Sequence, residues 1–134
     1  MTEQKSKITE SVKFIKEKFK LNNYPSAGII VYKDALFLKE FEIIKRIKFP
    51  DIPPAFDNVN SNEGELLYAK QKGSSKYFLI LNGRFNFYNG YSMRDIAHPV
   101  YVLKELGVKN LILLEDVGSL NPRYSVGDIA LVYD

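Results

Sequence analysis

The sequence predicts an α/β fold, a mixed central sheet flanked by helices, and three observations carry that expectation. An amphipathic pattern at helical spacing opens the chain, and short apolar runs bounded by turn residues recur through the rest. A second helical stripe with its own start and stop signals lies between those runs. Strand, hairpin, helix, strand and strand in that order imply a mixed sheet covered by helices. At 134 residues and 46% hydrophobic, the chain has the length for one domain, residues 1–134, and lacks it for two.

The elements follow in order. Ile8, Val12, Ile15 and Phe19 recur at helical spacing with Lys and Glu between them, so the first twenty residues read as one helix, ending near Asn22 and Asn23, with Pro25 marking the break. AGIIV at 27–31 is a buried-strand run after a turn. Residues 33–40 are ambiguous. Pro50, Pro53 and Pro54 forbid a regular helix, and the polar stretch 57–63 continues a long loop of the kind that often carries function. Residues 65–71 and 76–81, separated by KGSS, read as a hairpin. Ser92 and Asp95 resemble a capping box, after which Ile96, Val100, Leu103 and Leu106 form a stripe closed by Gly107. Pro99 interrupts the stripe and predicts a kink or a late helix start. NLILL at 110–114 and DIALVY at 128–133 are two further strand candidates.

Composition excludes several classes of function. With no cysteine, the chain has no disulfide, thiolate metal ligand or thiol nucleophile, which fits a reducing compartment. MTEQKSKITE is polar and charged, without a secretory or membrane-spanning apolar stretch, so a cytoplasmic protein that does not use a membrane is expected. The net charge of +3 comes largely from lysines of the first third, interleaved with Glu10 and Glu17 as on a solvated helix face. Nucleic-acid recognition would need a basic stripe with stacking aromatics, and the aromatics here read as core. His98, the single histidine, reads as structural, and no nucleophile elbow, histidine pair or GxxxxGK loop is present.

GRFNFYNGY at 83–91 resembles the signature of trimeric purine nucleoside phosphorylases, in which GRFH and YEGY follow a core strand. The similarity continues in order through HPV at 98–100, LGV at 106–108, GSLNP at 118–122 and VGDI at 126–129. It extends more thinly upstream, through the strand at 27–31, Ile52-Pro53 and Gly64 with Leu66 and Leu67. Ordered agreement of this kind is far more specific than a lone glycine motif. The resemblance implies the N-terminal half of the phosphorylase fold, incomplete relative to the family, whose second half carries the residues that grip the base.

Family members attack the N-glycosidic bond of a purine nucleoside with phosphate, so positioning and electrostatics carry the reaction and no cofactor or metal is needed. The resemblance matches Arg84 to a phosphate-binding arginine and Tyr88 to a ribose-contacting tyrosine, and Lys33 is a candidate replacement for lost positive charge. Other family positions are degenerate. The glycine-rich phosphate loop is YKDAL at 32–36, whose side chains keep the backbone from a close approach. Asn62 and Asn86 stand where the family has histidines, Asn89 replaces an acidic residue, and Glu115, Asp116 and Val117 occupy a turn of small residues. A carboxylate about 4 to 6 Å from a phosphate dianion costs on the order of one to a few kcal/mol at an effective dielectric near 20.

Two readings of function stay open. In the first, the chain is a catalytically inactive phosphorylase-like domain that acts in assembly or protein interaction. A homo-oligomer or a protein partner then covers the exposed half-sheet, since a sheet cut midway exposes apolar edges and the family oligomerises. In the second, it is a residual phosphorylase, or a nucleoside or phosphate binder, whose missing half comes from another chain. The first predicts weak or lost binding of phosphate and nucleoside.

Overall fold

The computed structural model describes residues 3–32, 35–54 and 64–132. Helix α1 spans Glu3–Phe19 and turns its buried stripe, Ser11, Ile15 and Phe19, inward at a spacing of one helical turn. It ends where Lys20 takes a left-handed φ of 47°. Strand β1, Ala27–Val31, is buried at every position, as its apolar run predicts. A 3₁₀ turn, Leu36–Glu40, then leads into β2, Phe41–Lys48.

The hairpin forms as the sequence predicts, with β3 over Glu65–Gln71 and β4 over Tyr77–Asn82. Helix α2 spans Met93–Glu105, and its capping box is complete: the Ser92 hydroxyl accepts from the Asp95 N–H, and the Asp95 carboxylate accepts from the Ser92 N–H. The late helix start expected from Pro99 does not occur, because that cap fixes the first turn and Pro99 sits inside the helix. Gly107, at φ 95°, supplies the left-handed exit. Strand β5, Leu111–Leu113, completes a five-stranded sheet in the order β2-β3-β4-β1-β5.

β1 runs parallel to β4 and to β5, while β3 is antiparallel to both β2 and β4. Helix α2 is therefore the crossover between parallel strands that parallel pairing requires. Alternation along the strands divides the core. On one face Ile30, Leu66, Tyr68, Leu79 and Leu81 pack with Ile15 and Phe19 of α1, with Val102 and Leu103 of α2 and with Leu106 at its C-cap. On the other, Ile29, Val31, Leu67, Ala69 and Ile80 are covered by Phe37, Leu38, Phe41, Ile43 and Phe78. Both described α-helices thus lie on one face, and the 3₁₀ turn with the rim of β2 closes the other.

Two differences from the sequence reading have physical causes. β2 is unassigned from the sequence because its burial alternates but its residue types do not: Ile44 stands on the exposed side and Lys45 on the half-buried side, where its ammonium donates to the Phe19 carbonyl at 2.8 Å. The expected strand at 128–133 does not form over its described residues, 128–132, where Ile129, Leu131 and Val132 are 98, 89 and 89% exposed. A strand exists only with a ladder partner, and no described strand lies beside this run.

Candidate functional site

In open α/β sheets the ligand crevice lies beyond the carboxyl ends of the parallel strands. Here those ends belong to β4, β1 and β5, neighbours in the sheet. The loop after β4 starts at Gly83, whose φ of 124° suits glycine and whose N–H donates to the Val31 carbonyl at 3.1 Å. That bond ties the end of β4 to the end of β1. Arg84 follows at once and reaches past β1 to the end of β5.

Arg84 is the electrostatic centre of this crevice, and its charge is already engaged. One terminal nitrogen forms an ion pair with the Glu115 carboxylate, and the other donates to the Leu114 carbonyl at 2.5 Å. Its side chain is 19% exposed, and its Nε is buried with no hydrogen-bond partner among the described residues. A carboxylate offers a guanidinium the same kind of charged oxygen acceptors that a phosphate would. Glu115 therefore stands on Arg84 as an internal counter-anion, and an incoming anion must displace it.

The remaining predicted positions are dispersed. Tyr88 is 80% exposed on the 3₁₀ turn Phe87–Asn89, and Phe87 is also exposed, so the reading of these two aromatics as core is corrected. Their neighbours do enter the core: Phe85 stacks on Phe49 at 4.9 Å and meets Tyr91 edge-on at 4.9 Å. This stack holds the loop while the turn between its members projects outward. Asn86 and Asn89 bracket the turn, with the Asn89 N–H donating to the Asn86 carbonyl at 3.0 Å. Asp116 is exposed and Val117 is 78% exposed. Lys33 and Asn62 lie outside the described residues.

His98 is buried, as a structural histidine should be, with Nε2 2.9 Å from the Ser11 hydroxyl, which itself donates to the Pro53 carbonyl at 2.5 Å. That relay couples α2 to α1 and to the proline turn, away from Arg84. Burial holds the His98 imidazole below its ordinary titration range. Among the described residues no group of three or more His, Cys, Asp or Glu could hold a metal ion, and no helix is long and apolar enough to cross a membrane.

Sequence reasoning marked Glu115 as a repulsive neighbour for phosphate and missed it as the partner of Arg84. The signal was available, since the resemblance places two opposite charges in one crevice. The Leu114 carbonyl had no sequence signal, because a backbone acceptor is set by where β5 ends.

Residues 30–134 match the family model of the phosphorylase superfamily, and the chain belongs to that family. Within it, the chain is 32% identical over 129 residues to purine nucleoside phosphorylase 1 of Geobacillus stearothermophilus, covering 95% of this chain and 46% of that protein. It is 33% identical over 132 residues to the Bacillus subtilis enzyme of the same name, covering 97% of this chain and 47% of the other. The chain thus spans about half the length of the curated relatives it matches. Among solved structures, Schistosoma mansoni purine nucleoside phosphorylase in complex with inosine superposes with a TM-score of 0.73 at 26% identity, over 92% of this chain and 42% of that one.

Proposed function

We propose that this chain is a purine nucleoside phosphorylase-like domain, one folded unit over 1–134, that does not itself catalyse phosphorolysis and serves in assembly in the cytoplasm. The observation that carries the reading is the Arg84–Glu115 ion pair. The cation that the family resemblance assigns to phosphate is neutralised from within the chain. A dianion approaching Arg84 meets a carboxylate first, at a cost on the order of a few kcal/mol in the crevice. The lack of glycines at 32–36 and the outward projection of Tyr88 support the same reading.

The test is inosine phosphorolysis by the purified chain at millimolar phosphate, with a calorimetric titration of each ligand. No turnover above background and flat titrations are expected, and saturable turnover would falsify the proposal. A second reading, a residual phosphate or nucleoside binder completed by another chain, is favoured by one feature. The unpartnered, buried Arg84 Nε and the preserved Gly83-to-Val31 bond keep the arginine aimed at the old crevice. Saturable phosphate binding without turnover would select that reading.

A further inference from the structure

The two edges of the sheet are finished differently. β2 carries Glu42, Lys45, Arg46 and Lys48 and a register shift, devices that keep an edge strand from pairing with other chains. β5 at the opposite edge is Leu-Ile-Leu and has no such guard. The Asn110 carbonyl and the Leu114 N–H bond to β1, so alternation directs the backbone groups of Leu111 and Leu113 outward. Beside the start of β5 lies a groove of about 520 Å³ lined by Val100, Leu103, Val108 and Leu111 and rimmed by Lys104 and Lys109.

The same chain carries a segment suited to that edge and not using it. Ile129, Leu131 and Val132, preceded by Asp128, form an apolar run of strand composition, exposed along its described length. Val117, Leu120 and Val126 ahead of it are exposed by 78, 103 and 109%.

We propose that two copies of this chain pair reciprocally, the 128–132 segment of each adding as a strand to the outer edge of β5 in the other. Charge favours this occupant. On an added strand Asp128 and Val132 share one face, so Asp128, whose carboxylate also accepts from the Ser125 N–H at 2.8 Å, supplies a carboxylate to the groove rimmed by Lys104 and Lys109 while Val132 meets its apolar wall, and Ile129 and Leu131 lie on the other face beside the exposed Ile112. The pairing is isologous, closes at two copies, and satisfies the outward groups of Leu111 and Leu113. The inference names the partner of the assembly role proposed above and rests on that reading, but its test does not pass through activity.

The experiment is light scattering of the full chain across a concentration series, for wild type, for Ile129→Asp with Leu131→Asp, and for Lys104→Glu with Lys109→Glu. A dimer is expected for the wild type, with dissociation raised about tenfold or more by either pair of substitutions, the loss that removing central interface contacts brings. Adding Asp128→Lys to the lysine reversal should recover part of the loss. Both substituted pairs lie at exposed positions or on the groove rim, so circular dichroism should stay that of the wild type. A wild-type monomer at every concentration, a dimer indifferent to both pairs, or polymers of no fixed stoichiometry would overturn the proposal. A dimer that turns over inosine would retain the interface and remove the inactive reading, whereas an inert monomer does the reverse.

Discussion

Among the described residues the acid paired with Arg84 is Glu115, so the behaviour of that pair can be read from one substitution. Glu115→Ala removes the counter-anion and leaves the Leu114 carbonyl as the arginine's anchor. Phosphate or sulfate binding, measured calorimetrically at low ionic strength, should become about tenfold tighter or more than in the wild type, because one close repulsive charge is gone. Stability should change by about 1 kcal/mol in urea unfolding, since the Glu115 side of the pair is half-exposed and the Leu114 carbonyl still holds the largely buried Arg84. Arg84→Ala in the same background should abolish the gain.

His98 gives a residue-scale prediction with pH. Burial depresses its titration in the folded state, with Asp95 opposing and Lys7 adding to the effect, so the folded chain binds this proton less readily than the unfolded one. Its contribution to stability is complete above the ordinary value of 6.5 and is lost as pH falls from there toward the depressed folded value. The steepest loss a single proton allows is about 1.4 kcal/mol per pH unit. Urea titrations should show this acid slope in the wild type and a shallower one in His98→Gln. Equal slopes would mean that the Ser11 relay leaves the imidazole free to protonate.

At the scale of elements, the capping box and the aromatic stack hold the loop that presents Arg84. Ser92→Ala removes the hydroxyl that accepts from the Asp95 N–H and should cost ~1 kcal/mol, read as a lowered urea midpoint at unchanged slope. Gly64→Ala should cost more, about 1–3 kcal/mol, because the added methyl would stand 2.3 Å from the Phe49 ring. That ring is buried and stacked on Phe85, so it has little room to yield. What was legible at this scale was whatever announced itself locally. The unbroken apolar run of β1, the hairpin and the Ser92 cap are local signals, and they formed. β2 was hidden by Ile44 on its exposed side and Lys45 on its inner side, and the apolar run at 128–132 misled because strand composition does not by itself provide a neighbour. The site was legible in its parts through the resemblance at 83–91. Its wiring was legible only through that resemblance, which places both charges in one crevice, since the meeting of Arg84 with Glu115 depends on β4 and β5 flanking β1, a long-range pairing no local pattern encodes.

For the whole molecule, the decisive feature is where apolar surface remains. One sheet face is sealed by α1 and α2 and the other by the 3₁₀ turn and the aromatic residues beside it, while the run ending at Val132 contributes nothing to either core. Among the described residues both cores are built upstream of that run, so the exposed run can add to stability only through association. Anything that binds the folded state alone stabilises it by mass action, about 2.7 kcal/mol when the partner is at a hundred times its dissociation constant. The melting temperature of the wild type should accordingly rise with protein concentration, whereas Ile129→Asp with Leu131→Asp should melt at one temperature throughout. At the lowest concentration the two proteins should coincide, because none of the substituted side chains packs against the core. A concentration-independent midpoint for both would show that the apolar run stays in water, and a double variant that melts lower even when dilute would show that the run supports the fold within one copy.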